Sequence, residues 1–133
     1  MLDLEFDHIG ILVKSIDKEK KIYETLGYQV ESEIFIDDNQ KMRGLFMCSK
    51  NAPRVELIED LSDSRALNKI LNSQCGKIYH VAYKVKKLEE QIEDVLLKLN
   101  AKILSPIKEA SYYDKVCFVF LPNAQIIELV EYR

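Results

Sequence analysis

Four side chains able to bind a metal or move a proton recur at one interval. The spacing from His8 to His80 equals the spacing from Glu56 to Glu128. The chain contains 2 histidines in all, so both sit in this pattern. Each histidine also precedes its glutamate by the same interval, position 8 to 56 and position 80 to 128. The neighbours repeat as well. Residues 7–14, DHIGILVK, match residues 79–86, YHVAYKVK, and residues 55–59, VELIE, match residues 127–131, IELVE. Taken singly, a histidine in a strand is most often a hydrogen-bonded structural residue. A lone glutamate between apolar residues most often faces solvent, and Glu59 and Glu131 fit that description. Taken together, the duplicated His and Glu are read as a metal site. Two imidazoles and two carboxylates suit Ni²⁺, Co²⁺, Zn²⁺, Fe²⁺ or Mn²⁺, with water completing the shell. They differ from the closed, thiolate-rich site of structural zinc. An open, oxygen-rich site points to Lewis-acid catalysis.

Strands must position these groups. Phe6 to Val13 is a short apolar run that reads as a strand buried on both faces. Alternation puts His8 on one face with Phe6, Gly10 and Leu12, and Ile9, Ile11 and Val13 on the other. In the second copy His80 shares a face with Ile78, Ala82 and Lys84, opposite Val81, Tyr83 and Val85. The residue two beyond each histidine is small, Gly10 or Ala82, which leaves room for a ligand. Glu56 and Glu128 each stand between apolar neighbours, where a carboxylate is costly to bury unless paired or metal-bound.

The other elements follow from spacing. Ser15 is a helix N-cap, Ile16, Ile22, Tyr23 and Leu26 form an apolar side, and Gly27 is the stop. Tyr28 to Ile36 reads as one strand, Asp37 to Asn39 as a turn, and Met42 to Cys48 and Arg54 to Ile58 as strands joined by a Ser49 to Pro53 turn. The connector carries a short amphipathic helix through Ala66, Leu67, Ile70 and Leu71, then a turn from Asn72 to Gly76. In the second copy Ile78 to Val85 is a strand, and Leu88, Ile92, Val95, Leu96 and Leu99 mark a helix ended by Asn100. Lys102 to Leu104, Lys115 to Leu121 and Gln125 to Val130 are strands. The loop from Ser105 to Asp114 carries Tyr112 and Tyr113, which could close over a cleft or simply pack. The class is α+β, a single domain over residues 1–133, with module 1 at about 1–60, a connector at about 61–76 and module 2 at about 77–133.

Composition narrows the function. With 19 basic and 22 acidic residues the formal charge is −3, and no basic block exists. Nucleic-acid binding and electrostatic membrane attachment are disfavoured. No signal peptide is evident at the N-terminus, and no apolar stretch is long enough to span a bilayer. The 3 cysteines, Cys48, Cys75 and Cys117, form no CxxC pair and are odd in number. A reduced, cytoplasmic setting is expected.

The segments DHIGILV (7–13), RVELIE (54–59), YHVAYKV (79–85) and IIELVE (126–131) resemble the landmarks of the vicinal oxygen chelate superfamily. That group includes glyoxalase I, methylmalonyl-CoA epimerase, extradiol dioxygenases and resistance proteins for fosfomycin and bleomycin. The resemblance implies two tandem β-α-β-β-β modules pairing into a curved eight-stranded sheet around a metal-binding cleft. Residue by residue it carries the ligands to His8, Glu56, His80 and Glu128, and it implies a homodimer. Extradiol dioxygenases use two histidines and one carboxylate, so Glu56 argues against them. Two enzyme readings remain open. The connector, the HVAY strand and the IIELVE ending are most similar to CoA-thioester epimerases of the methylmalonyl-CoA type. The His, Glu, His, Glu quartet matches bacterial glyoxalase I, which acts on a thiol hemithioacetal. A non-catalytic small-molecule binding or resistance protein is the third reading.

Both reactions remove a proton beside a carbonyl. Some epimerases place a second acid–base glutamate on the third strand, but residues 41–49 contain no carboxylate. Glu128 is therefore the first choice for the base, with Glu56 as its partner. Arg43, Arg54, Lys84 and Lys115 are the candidate partners for substrate phosphate or carboxylate.

Overall fold

The segment EFDHIGIL forms β1 (Glu5–Leu12), and Ser15 then starts α1 (Ile16–Thr25). The Ser15 hydroxyl accepts the Lys18 N–H, which satisfies one of the open donors of the first turn. Gly27 follows the helix with φ 99°, a conformation that only glycine adopts freely. The chain continues through β2 (Gln29–Val30), β3 (Phe35–Asp37), β4 (Met42–Ser49) and β5 (Ala52–Asp60), then α2 (Arg65–Leu71). The second copy supplies β6 (Ile78–Lys84), α3 (Leu88–Leu99), β7 (Lys102–Glu109), β8 (Lys115–Phe120) and β9 (Ile126–Glu131). This computed structural model describes residues 1–73 and 77–133. Cys75 and the end of the turn expected at Asn72 to Gly76 lie outside the described residues.

The fold is α+β, as expected, with nine strands rather than eight among the described residues. The extra strand arises where Tyr28 to Ile36 was expected to run unbroken. Both β2 and β3 pair with β4, but the Ser32 hydroxyl accepts the Phe46 N–H between them. A side chain there replaces a backbone partner and interrupts the ladder. The β4–β5 turn is tighter than predicted, with pairing from Met42↔Asp60 out to Ser49↔Ala52. In the second copy β7 runs through Pro106 to Glu109, so the loop expected from Ser105 shrinks to residues 110–114. The β7–β8 register shifts between Ser105 and Lys108. Pro106 has no N–H to donate, and a strand irregularity accommodates it.

The described residues divide into two compact units, 8–79 and 1–7 with 80–133. In the first, the strand path is β2-β4-β5-β1, with β3 also on β4. Its core joins Val13, Ile16, Leu45, Met47, Val55 and Leu57 to Ile9, Ile11, Tyr23 and Tyr28. The non-histidine face of β1 thus packs beneath α1, as alternation required. Ile22 on α1 and Leu26 just after it are exposed, and among the described residues Ile16 and Tyr23 carry the helix's packing on this core. At 100° per residue, positions 22 and 26 rotate off the face set by Ile16. In the second unit the path is β6-β9-β8-β7. Its core joins Val85, Leu88, Val95, Cys117, Val119, Ile127 and Leu129 to Val81, Tyr83, Ile92 and Leu96. Asn100 ends α3 in the left-handed conformation. Among the described residues no helix is long and apolar enough to cross a membrane.

Candidate metal centre

In the first unit β1 and β5 run parallel, and Gly10 stands opposite Glu56. Gly10 lacks a side chain, so the carboxylate can lean back along β1 toward the histidine two residues earlier. His8 Nε2 lies 3.1 Å from Glu56 Oε1. His8 is 0% and Glu56 5% exposed. The second unit repeats the arrangement. Strands β6 and β9 are parallel, Ala82 stands opposite Glu128, and His80 Nε2 lies 3.2 Å from Glu128 Oε1. His80 and Glu128 are 2% and 3% exposed.

The donor set fits a divalent cation. Each of the four buried side chains offers one ligand atom, an imidazole nitrogen or a carboxylate oxygen. Ligands about 2.0–2.1 Å from one ion are roughly 3.0 Å apart at a right angle and about 3.4 Å at the tetrahedral angle. The observed 3.1 and 3.2 Å fall between these two values. Each pair thus sits at a separation that two ligands of one ion could adopt.

An aromatic wall is duplicated with the pairs. Phe46 on β4 pairs with Glu56, and Phe118 on β8 pairs with Glu128. The spacing from Phe46 to Phe118 is again that from His8 to His80. Each ring meets its histidine edge-on, His8–Phe46 at 5.1 Å and 82° and His80–Phe118 at 5.2 Å and 77°. These contacts restrict rotation of the imidazoles. The offset between the two histidines, applied to the third strand of each copy, would have revealed them from sequence.

A family model described as the Glyoxalase/Bleomycin resistance protein/Dioxygenase superfamily matches residues 7–118. The chain belongs to this superfamily. Solved structures share its fold. Methylmalonyl-CoA epimerase from Mycobacterium tuberculosis is 22% identical, with TM-score 0.80, over 100% of this chain and 93% of that one. A hypothetical protein from Bacillus halodurans C-125 is 23% identical, with TM-score 0.79, over 99% and 96%. A variant of Streptomyces coelicolor methylmalonyl-CoA epimerase, in complex with 2-nitronate-propionyl-CoA, is 20% identical, with TM-score 0.76, over 96% and 96%. A search of curated proteins gave no significant match.

Two carboxylates in this superfamily member are placed differently from expectation. Glu59 and Glu131 do not simply face solvent. Glu59 Oε2 accepts the Ile16 N–H at 2.7 Å, and Glu131 Oε2 accepts the Leu88 N–H at 2.7 Å. Each therefore caps the helix of its own copy from the end of a strand, where the helix dipole favours negative charge. Alternation could not show this, because the helix start returns to the strand end only in the folded chain.

The other candidates separate by environment. Arg43 pairs with Glu59 at 3.1 Å. Lys115 pairs with Glu89 at 3.0 Å, and that hydrogen bond holds its ammonium above the usual range. The Lys84 ammonium lies 4.7 Å from the Tyr132 ring centroid. Arg54 stands over the Phe46 ring, 3.9 Å from its centroid. Tyr113 is a packing residue: it is buried, bonds Asp7 Oδ2 at 2.6 Å, and meets Tyr112 and Tyr132 edge-on. Cys117 is buried in the core and its thiol is pushed up to about 11 by burial. Cys48 is half-buried.

Proposed function

We propose that the two His–Glu pairs hold one divalent ion, with His8, Glu56, His80 and Glu128 as ligands. On this reading the protein is a metal-dependent enzyme that abstracts a proton beside a carbonyl. Its substrate is a CoA thioester and its reaction an epimerisation of the methylmalonyl-CoA type. The observation that carries the reading is the recurrence of the same buried Nε2–Oε1 approach in both copies. Burying two carboxylates costs free energy that a cation offsets. The epimerases of like fold support the substrate class. One of them is described in complex with methylmalonyl-CoA. The whole chain, residues 1–133, would act as a single domain, in the cytoplasm and as a homodimer.

When bound, the ion would supply Lewis-acid stabilisation of charge developing on the carbonyl oxygen. The chain's own groups do the rest. His8 and His80 hold their Nε2 atoms toward the carboxylates, and Phe46 and Phe118 fix the ring planes. Glu128 takes the proton from the carbon beside the carbonyl, and Glu56 returns one. Inversion at a carbon centre needs one group to remove the proton and another to return it, and two carboxylates can fill those roles.

Glyoxalase I is the second reading, and Glu56 favours it, because some epimerases carry glutamine at that position. One experiment separates the readings. The metal-reconstituted protein is assayed for proton exchange at methylmalonyl-CoA and for loss of the methylglyoxal–glutathione hemithioacetal. Exchange is expected, and Glu128→Gln should lose most of kcat while still binding substrate. Hemithioacetal turnover alone would replace the epimerase by the glyoxalase. Less than one divalent ion per chain after reconstitution, with neither activity, would leave a binding protein of this fold.

A further inference from the structure

In the second unit, the sheet face that carries Glu128 is covered on one side of that residue and open on the other. Paired residues of neighbouring strands point to the same face, so the register lays this face out in rows. The middle row is Ala82 on β6, Glu128 on β9, Phe118 on β8 and Ser105 on β7. The row on one side is Lys84, Val130, Val116 and Lys108. Val130 and Val116 are 0% and 1% exposed, so this side admits no ligand. The row on the other side runs from Ile126 through Phe120 to Lys102. Ile126 and Phe120 are half-buried, and Lys102 is exposed. The register shifts in β7 put Lys102, Ser105 and Lys108 on one face although they lie three apart in the chain. Simple alternation along β7 would have separated them.

The open row changes character along its length. Beside Glu128, Ile126 and Phe120 offer hydrocarbon, and at the outer strand Lys102 offers a positive charge. Lys86, Lys98 and Lys115 of this unit each meet a carboxylate. Among the described residues Lys102 has no ion pair, hydrogen-bonded side-chain partner or ring contact. A lysine on an edge strand discourages pairing with another sheet. This one also ends a track that begins at the candidate metal centre. Two strand spacings and one two-residue step separate the Lys102 and Glu128 backbones by about 12 Å. That is beyond the substituents of a carbon reacting at Glu128 and within the span of a long carrier arm.

We infer that the row Ile126, Phe120, Lys102 is the track on which the carrier arm of the substrate lies, with Lys102 receiving the diphosphate of CoA. The inference rests on the CoA-thioester reading and deepens it. The pantetheine arm is uncharged and carries a dimethyl group, so hydrocarbon side chains suit its length and a cation suits its phosphate end. An ammonium meets phosphate as a point charge, without a fixed approach geometry. Lys84 is on the same face but stands beside Val130 in the covered row. Lys115 is engaged with Glu89.

The test is calorimetric titration of the full-length, metal-loaded protein with propionyl-CoA and propionyl-pantetheine. The wild type should bind the CoA ester more tightly. Lys102→Ala should weaken propionyl-CoA about 3–10-fold, the scale of one solvent-accessible charged contact, and leave propionyl-pantetheine nearly unchanged. Lys102→Arg should bind like the wild type. Added salt should weaken propionyl-CoA more in the wild type than in Lys102→Ala, because it screens the lost charge. Phe120→Ala should weaken both esters, since both carry the arm. Metal content and the circular dichroism spectrum should stay at wild-type values in the Lys102 variants. Equal wild-type affinity for the two esters, or unchanged propionyl-CoA binding in Lys102→Ala, would overturn the inference and leave the epimerase reading standing. Unchanged binding in Phe120→Ala would overturn the track. If the wild type binds propionyl-CoA without exchanging the proton of methylmalonyl-CoA, the epimerase reading fails and Lys102→Ala still decides the inference. If it binds neither ester, both fall.

Discussion

Replacing Glu131 with alanine should destabilise the protein more than the same change at Glu59. Glu131 is 7% exposed, and its Oε2 accepts the Leu88 N–H, which belongs to a residue 0% exposed. The α3 N-cap, Lys87, contributes no side-chain hydrogen bond to the helix. Gln91 Oε1 reaches back to the Lys86 and Lys87 N–H groups, so the Leu88 donor depends on Glu131. A neutral cap is worth about 1 kcal/mol, and an ionised acceptor about twice that. A buried donor left open adds to the loss, which places Glu131→Ala at roughly 2–3 kcal/mol. Glu59 is in a weaker position. Its side chain is 18% exposed, it is shared with Arg43, and α1 has its own Ser15 cap. About 1–2 kcal/mol is expected there. Urea unfolding followed by circular dichroism is the assay. With m near about 2 kcal/mol/M, Glu131→Ala should lower the midpoint by about 1–1.5 M. Glu131→Gln keeps an acceptor and should recover about half. A Glu131→Ala loss below about 0.5 kcal/mol, or a larger loss at Glu59, would refute strand-end capping as a source of stability.

Three further outcomes follow from individual environments. Cys117, with its thiol pushed up to about 11, should resist a thiol reagent at pH 8 in the folded protein. Only about one molecule in a thousand carries the thiolate there, so labelling at the rate of half-buried Cys48 would contradict the core placement. Burial raises the Asp60 carboxyl, but hydrogen bonds from the Ser62 side chain, the Ser62 backbone and the Ser64 backbone outweigh it and hold the group below 3.8. Its folded pKa is depressed, so its stabilisation is present above 3.8 and disappears as pH falls through the folded value. Asp60→Asn should therefore reduce the loss of stability between about pH 5 and 2, measured by urea titration; an unchanged acid limb would count against this. Gly44→Ala should cost about 1–3 kcal/mol, because the new methyl must displace the Phe35 ring it would otherwise meet at 2.4 Å. Thermal unfolding measures this, and a neutral result would mean that the ring swings aside freely.

How much was legible in the sequence depended on whether a signal was local or repeated. The helices were marked by Ser15, Gly27 and Asn100, and these residues do occupy the caps and stops. Alternation also assigned the faces of β1 and β6, since a strand has a period of two whatever surrounds it. The split of the expected Tyr28 to Ile36 strand was not legible. It depends on a hydroxyl, Ser32, finding the Phe46 N–H on another strand. The extension of β7 through Pro106 was hidden for a related reason: proline is tolerated at an irregular edge position that only pairing creates.

The same division holds for the candidate site. Sequence alone determined the four chemical groups and their equivalence, because a duplication preserves spacing and the chain has no other histidine. It also determined the small neighbours, Gly10 and Ala82. Only the tertiary structure decided that each carboxylate stands beside its histidine at 3.1 or 3.2 Å, because parallel pairing of strands distant in the chain sets that register. It likewise turned Glu59 and Glu131 from surface charges into helix caps, and it set Arg54 over Phe46 where the second copy has Ile126. Chemical identity and periodicity are carried by each residue, whereas desolvation and orientation belong to whatever the fold brings alongside it.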